Sequence, residues 1–235
     1  MLPHDTKYRY RSQVVKEFPP PPEIYPAYPS PTLWARCQEL PRSPAIDIPW
    51  QRIHARYRLT FENLGPFGAE LFLYTDLRHR VLHLLDNDVE LPTAIFGMEY
   101  FQILEKSKPI NPDHIPELQG ILNVVSQYDW LFGDGIETLI DPSWCTPKVV
   151  VLVDILLAHH TQQFQGIAFV EQRHIAACLA KTVSRLPRAQ GNLKCAELIG
   201  HGSSGVAKSS VKGMPTRFQQ DVVRMFRDRR VNLRE

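Results

Sequence analysis

The sequence is short of several things at once, and each shortage removes a class of function. Its four cysteines, Cys37, Cys145, Cys178 and Cys195, are scattered without metal-ligand spacing. That argues against a zinc knuckle or a disulfide framework and reads as reduced thiols in a cytoplasmic or nuclear protein. No apolar run is long enough to span a bilayer. The most apolar, Val149 to Ala158, is short and carries Asp154, and the N-terminus lacks the cationic-then-apolar pattern of a secretory signal. The formal net charge is only +2, so total charge selects no partner. No internal repeat is visible.

Catalytic signatures are missing as well. Gly200 to Gly205 fits the first half of a phosphate loop, but Val206-Ala207 intervene before Lys208-Ser209. Two extra residues displace the lysine by up to roughly 7 Å of chain, so the cradle and its charge no longer coincide. Gly202-Ser203-Ser204-Gly205 is one position short of a hydrolase nucleophile elbow. His159-His160 close a predicted helix, where the dipole favours them, and His174 falls in the first turn of another. Asp134 and Asp141 flank a turn and suit local hydrogen bonding. No residue is assigned to catalysis or to a metal, and no cofactor is expected in this chain.

What is present divides into three stretches. Residues 1–49 hold the Pro19 to Pro22 run and prolines 26, 29, 31, 41, 44 and 49. This spacing forbids regular helix and predicts an extended proline-rich connector on the surface, with Tyr25, Tyr28 and Trp34 finding something to pack against. A docking ligand for an aromatic groove is the other reading of the same prolines. Residues 50–145 are helical. Gly65-Pro66 breaks the pattern once, and Phe67, Leu71, Tyr74, Leu77, Val81 and Leu85 then recur at three- and four-residue steps towards Asn87. A second helix is expected over Thr93 to Glu105. A third, capped by Asn111-Pro112-Asp113, carries Leu118, Ile121, Leu122 and Val125 towards Trp130. Gly133-Asp134-Gly135 closes it, and Asp141-Pro142 turns the chain onward. Three helices with short connections make a small bundle.

From residue 146 to 235 the pattern alternates. Thr146-Pro147 supplies an N-cap and first-turn proline for a helix running to His159, apolar on nearly all faces and therefore expected to be buried on most sides. Gly166 to Val170 predicts a buried parallel strand, with Glu171, Gln172 and Arg173 at its carboxyl end, where open α/β sheets place ligand contacts. A helix marked by Ile175, Ala176, Leu179, Ala180 and Val183 stops before Pro187. A second strand covers Leu193 to Ile199, and a helix from Pro215 carries Phe218, Val222, Met225 and Phe226 on one face. Strand, helix, strand, helix is half of a doubly wound domain, so the fold class is α/β.

Thr146-Pro147-Lys148-Val149, Gly166 to Arg173, Gly200-His201-Gly202-Ser203-Ser204, Gly213-Met214 and Gln219 to Arg227 resemble, in order and spacing, the second helicase lobe of Dicer and Dicer-like proteins of a fungal-like kind. Related duplex-RNA sensor helicases share the pattern. Leu64-Gly65-Pro66-Phe67-Gly68-Ala69-Glu70 resembles the signature of the helical insertion preceding that lobe. The resemblance implies a helical insertion domain at 50–145 and an incomplete RecA-like lobe at 146–235. It also implies that the chain is a fragment, because in the family the lobe continues past Val231-Asn232-Leu233 into nucleotide-facing motifs.

The implied role is duplex-RNA binding in small-RNA processing, with the first helicase lobe as a second partner and ATP and magnesium belonging to the intact parent. The candidate RNA-binding residues are Gln172, Arg173, His201, Gly202, Ser203 and Lys212, with Gln219 behind them. Arg173 either touches RNA or pairs with a carboxylate inside the lobe. Arg52, Arg56, Arg58, Arg78 and Arg80 offer an RNA-facing bundle surface or simply solvated helix faces. Lys208, Lys212, Arg217, Arg224, Arg227, Arg229, Arg230 and Arg234 make the C-terminal stretch basic, which suits phosphates or a solvated helix equally. By the same resemblance the chain neither hydrolyses ATP nor cuts RNA, since the phosphate loop, the metal-holding acid and the arginine of motor chemistry lie elsewhere in the parent. A protein-interaction or structural remnant without RNA affinity is the alternative.

Overall fold

The computed structural model describes residues 25–40, 46, 48–85, 112–133, 135–159, 164–196, 216–228, 230 and 233–234. The helix expected over Thr93 to Glu105 lies outside them. So do His201, Gly202, Ser203 and Lys212, and most of the basic stretch that precedes the last helix.

The described helices are α1 (Leu33–Gln38), α2 (Trp50–Leu64), α3 (Pro66–Leu85), α4 (Ile115–Ser126), α5 (Asp129–Phe132), α6 (Pro147–Ala158), α7 (Arg173–Ser184) and α8 (Thr216–Arg227). The strands are β1 (Gly166–Ile167), β2 (Cys195–Ala196) and β3 (Leu233–Arg234). None of these helices is long and apolar enough to cross a membrane.

The central element is α3, which packs against α1, α2, α4, α5 and α7. Its expected apolar stripe is buried at Phe67, Leu71, Tyr74, Leu77 and Val81, but burial goes further: residues 67–77 are covered on every face. A helix surrounded in this way must satisfy each polar group internally. Thr75 donates its hydroxyl to the Leu71 carbonyl at 2.7 Å. Asp76 and Arg80, one turn apart, form a bidentate buried pair at 3.1 and 3.2 Å.

The Leu64-to-Glu70 signature has a packing explanation at almost every position. Gly65 ends α2 with φ 92°, and a Cβ placed there would sit 2.7 Å from the Thr146 backbone nitrogen and 2.8 Å from Cys145 backbone atoms. Pro66 opens α3, where its missing N–H costs nothing. Phe67 is fully buried against Phe132 and under the Arg185 guanidinium. Gly68 lets α3 approach Leu64, whose Cβ would be 2.5 Å from an added methyl. Glu70 is buried and reaches α1 and α2.

Three local expectations are corrected. The proline-rich stretch does contain a helix: α1 occupies the proline-free gap between Pro31 and Pro41, capped by Thr32 Oγ1, which accepts from Ala35 N at 3.2 Å. A proline just before the cap lies outside the intrahelical ladder and does not oppose it. Burial of Leu33 and Cys37 does the rest. The chain before α4 forms a 3₁₀ turn, Pro112–His114, and α4 begins at Ile115 with His114 at its N-cap, later than the expected cap, whose Asn111 lies outside the described residues. Thr146 does stand at the N-cap of α6, yet its hydroxyl does not cap that helix. It donates to the Asn63 carbonyl at 2.7 Å, while its N–H donates to Leu64 O at 3.0 Å, tying α6 to the end of α2. Thr146→Val should therefore cost about 1 kcal/mol, the net worth of one half-buried hydrogen bond. A urea midpoint unchanged from wild type would contradict that contact.

From α6 to Leu193 the chain packs onto the bundle without a break in the apolar core. That core runs from Leu33 through α3 and α4 to Val149, Ile175, Val183 and Leu193. In α7, residues 174–180, Thr182 and Val183 are all buried, covered by α2, α3, α6 and β2. At its C-terminal end the buried Arg185 donates to Leu131 O, and its own carbonyl accepts from Ile140 N at 3.1 Å. Arg188 pairs with Asp154 of α6.

β1, β3 and β2 form a parallel sheet in that order, with Gly166 and Cys195 flanking Leu233 and Ile167 and Ala196 flanking Arg234. Parallel neighbours require helical crossovers, here α7 and α8. Among the described residues each strand covers two positions, fewer than the runs Gly166 to Val170 and Leu193 to Ile199 expected from sequence, the last three positions of the second run lying outside them. β1 is not buried either. Ala168 and Val170 pack against the core, whereas Ile167 is 52% and Phe169 91% exposed. The two-residue alternation of extended chain puts one face on the core and leaves the other open. Nor is α6 covered on most sides: Val149, Val153, Leu156 and Leu157 are buried, but Val151 and Ile155 face out. An apolar residue can be exposed wherever no neighbour reaches it.

Candidate nucleic-acid interface

Of the candidate residues, Gln172 and Arg173 lie where β1 runs into α7. Glu171 and Gln172 are exposed, and Gln172 is the N-cap residue of α7 with extended backbone (φ −120°, ψ 133°). Its carbonyl accepts from Ile175 N at 3.0 Å and Ala176 N at 3.1 Å, but its side chain makes no cap. By helix geometry the N–H groups of Arg173 and His174 have no intrahelical acceptor. Arg173, half-buried, is the first residue of the helix. A helix N-terminus carrying a cation at the carboxyl end of a parallel strand can accept a phosphate oxygen.

Gln219 lies half-buried in the first part of α8. Gln165 Nε2 donates to the Phe226 carbonyl, so the chain entering β1 is tied to the far end of that helix. The structure thus brings Gln172 and Arg173 together at one helix terminus and sets Gln219 on the next helix.

His174 is drawn away from this surface. It is 5% exposed, its ring lies 5.2 Å from that of Phe72, and its Nε2 has no hydrogen-bond partner among the described residues. Burial, reinforced by the Arg56 charge, pushes its pKa down to about 4, so it is a neutral packing residue at physiological pH.

The bundle arginines separate into distinct environments. Arg80 is buried with Asp76 and does not face solvent, which corrects its place among the candidate surface cations. Arg58 is exposed and pairs with Glu62 at 3.0 Å. Arg78 pairs with Asp129 at 3.2 Å, beside the Tyr74 hydroxyl that donates to the same carboxylate at 2.7 Å. Arg52 is exposed and Arg56 half-buried on α2.

Two buried polar residues without an assigned role in the sequence reading organise this region. Glu70 holds α1, and Arg185 pins the end of α7. Glu70 was marked only by its place in the Leu64-to-Glu70 signature and Arg185 not at all, because the backbone atoms they meet at Trp34 and Leu131 lie 36 and 54 residues away.

Part of the chain is homologous to proteins of the Dicer class. It is 39% identical over 89 residues to Endoribonuclease Dicer homolog 1 of Arabidopsis thaliana and 38% identical over 89 residues to Endoribonuclease Dicer homolog 1 of Oryza sativa subsp. japonica. Each match covers 37% of this chain and 4% of the relative's length. No family model matches the chain.

Proposed function

We propose that this chain is a piece of the helicase region of a Dicer-like protein, a helical insertion followed by part of a RecA-like second lobe, and that it contributes duplex-RNA binding. The 39% identity over 89 residues to Dicer homolog 1 carries the reading. The helical bundle around α3 and the parallel β1-β3-β2 order joined through α7 and α8 are consistent with it. On this reading Gln172, Arg173 and the α7 amides hold one strand's phosphates, together with His201, Gly202, Ser203 and Lys212 of the following loop and Gln219 of α8. Such contacts are sequence-independent, which suits a duplex recognised by shape and backbone. ATP and magnesium belong to the intact parent, as does the first helicase lobe, the second partner. The isolated chain neither hydrolyses ATP nor cuts RNA.

The test is duplex-RNA binding by the purified chain at about 50 and about 200 mM salt, with single-stranded RNA and duplex DNA as competitors. Three or more phosphate contacts predict roughly tenfold or greater weakening across that range. Arg173→Ala should weaken binding and flatten the salt dependence. A folded sample that binds no RNA, or binds it independently of salt, would sink the proposal in favour of a protein-interaction or structural role.

A further inference from the structure

The arm at residues 25–40 is seated on the bundle through a carboxylate that no cation neutralises among the described residues. Glu70 is 2% exposed in the first half of α3. It accepts from Tyr57 Oη at 2.8 Å and from Trp34 N at 3.3 and 3.4 Å, with the Leu33 backbone as a further donor. All are neutral donors. Burial, with the nearby Glu70 charge behind it, pushes the Tyr28 and Tyr128 phenols up, and burial holds the Glu70 carboxyl above its ordinary range. Hydrogen bonds from neutral groups offset only part of the cost of taking a carboxylate out of water.

Apolar and aromatic contacts of the arm oppose that cost. Leu33 and Cys37 are fully buried. Trp34 stacks on Tyr57 at 4.7 Å and on His54 at 5.1 Å, and Tyr28 meets Trp144 edge-on at 4.9 Å. Tyr128 Oη donates to the Pro31 carbonyl at 2.7 Å. The contacts that join α3 to α2, α4 and α7 do not pass through the arm. Lifting it would rehydrate Glu70 and leave those helices in place.

We propose that residues 25–40 are a releasable strap, closed over the buried Glu70 and able to leave as a unit while the α2, α3, α4 and α7 core stays folded. The strap couples the proline-rich N-terminal segment to the bundle only while it is seated. The inference rests on this packing and does not depend on RNA binding.

Hydrogen exchange on the full chain, read by mass spectrometry, tests it. In the wild type, amides of residues 34–39 should exchange roughly tenfold or more faster than those of residues 71–81, as expected of a separately opening unit. Tyr128→Phe should accelerate the strap selectively, and Glu70→Gln, which removes the buried charge, should slow it selectively, each leaving residues 71–81 and 175–183 at wild-type rates. Equal protection of strap and core in the wild type, or a change of both by the same factor in the variants, would overturn the proposal. So would no change in either variant. If Glu70→Gln fails to fold, the wild-type comparison and Tyr128→Phe decide the matter.

Discussion

Replacing Gly65 with alanine should destabilise the protein by roughly 4 kcal/mol, adding the cost of a glycine-only backbone conformation to that of overpacking. Gly65 has φ 92° and ψ −174°, a region that residues with a Cβ rarely enter. The new methyl would also stand 2.7 to 2.8 Å from backbone atoms of Cys145 and Thr146, which cannot swing aside as a side chain would. At this point the α2–α3 corner touches the start of α6, and Thr146 N donates to Leu64 O there. Pushing the strands of chain apart would strain that hydrogen bond as well. Gly120 in α4 is the control. An added Cβ there meets nothing within 4 Å, so Gly120→Ala should stabilise by about 0.5–1 kcal/mol through reduced backbone freedom in the unfolded chain. Urea unfolding of both variants measures the contrast. A loss below about 1 kcal/mol for Gly65→Ala would mean that the corner does not close on residues 145–146 as described.

The second large effect is on pH dependence. His174 is held neutral with its pKa pushed down to about 4, whereas an unfolded-chain imidazole titrates near 6.5. Between those values the unfolded chain takes up a proton that the folded protein refuses. Stability from this residue is therefore fully present above about pH 6.5 and is lost as pH falls towards 4. The loss should be about 1.4 kcal/mol at pH 5.5 and about 2.5 kcal/mol at pH 4.5. Glu70 works in the opposite sense. Its raised pKa means that the folded state binds a proton more readily than the unfolded one, which adds stability as pH falls. The effect of His174 is isolated by comparing wild type with His174→Phe, a neutral ring beside Phe72. Unfolding free energies at about pH 7.5, 5.5 and 4.5 should converge as pH falls, the variant losing less than the wild type. Parallel curves would show that His174 is not buried in its neutral form.

Local pattern was enough to read much of this chain. The apolar steps from Phe67 to Leu85 and from Ile175 to Val183 gave α3 and α7, because helix periodicity is written in neighbouring residues. Gly65-Pro66 gave the corner between α2 and α3. Asp141 gave the turn it caps, its Oδ1 accepting from Ser143 N at 2.8 Å. Alternation of strand and helix after residue 160 gave parallel pairing, but neither the order of the strands nor the central place of β3. Gln172 and Arg173 were legible as a helix terminus following a strand, and the structure places them there.

Tertiary packing decided the rest, since burial depends on what arrives from elsewhere in the chain. Val151 and Ile155 are as apolar as Val149 and Val153, yet only the second pair is buried in a helix that packs against α2 and α7. Phe169 is exposed although its strand reads as a buried one, because only one face of that short sheet is covered among the described residues. The arm folds into α1 in spite of its prolines because Glu70, 36 residues on, supplies an acceptor to Trp34 N. Gly65 is required by Cys145 and Thr146, 80 or more positions away in sequence. A sequence fixes which residues can form a helix or a turn through interactions a few residues long. Which face is covered, which charge is buried and which glycine is indispensable are set by contacts that exist only once the chain has closed on itself.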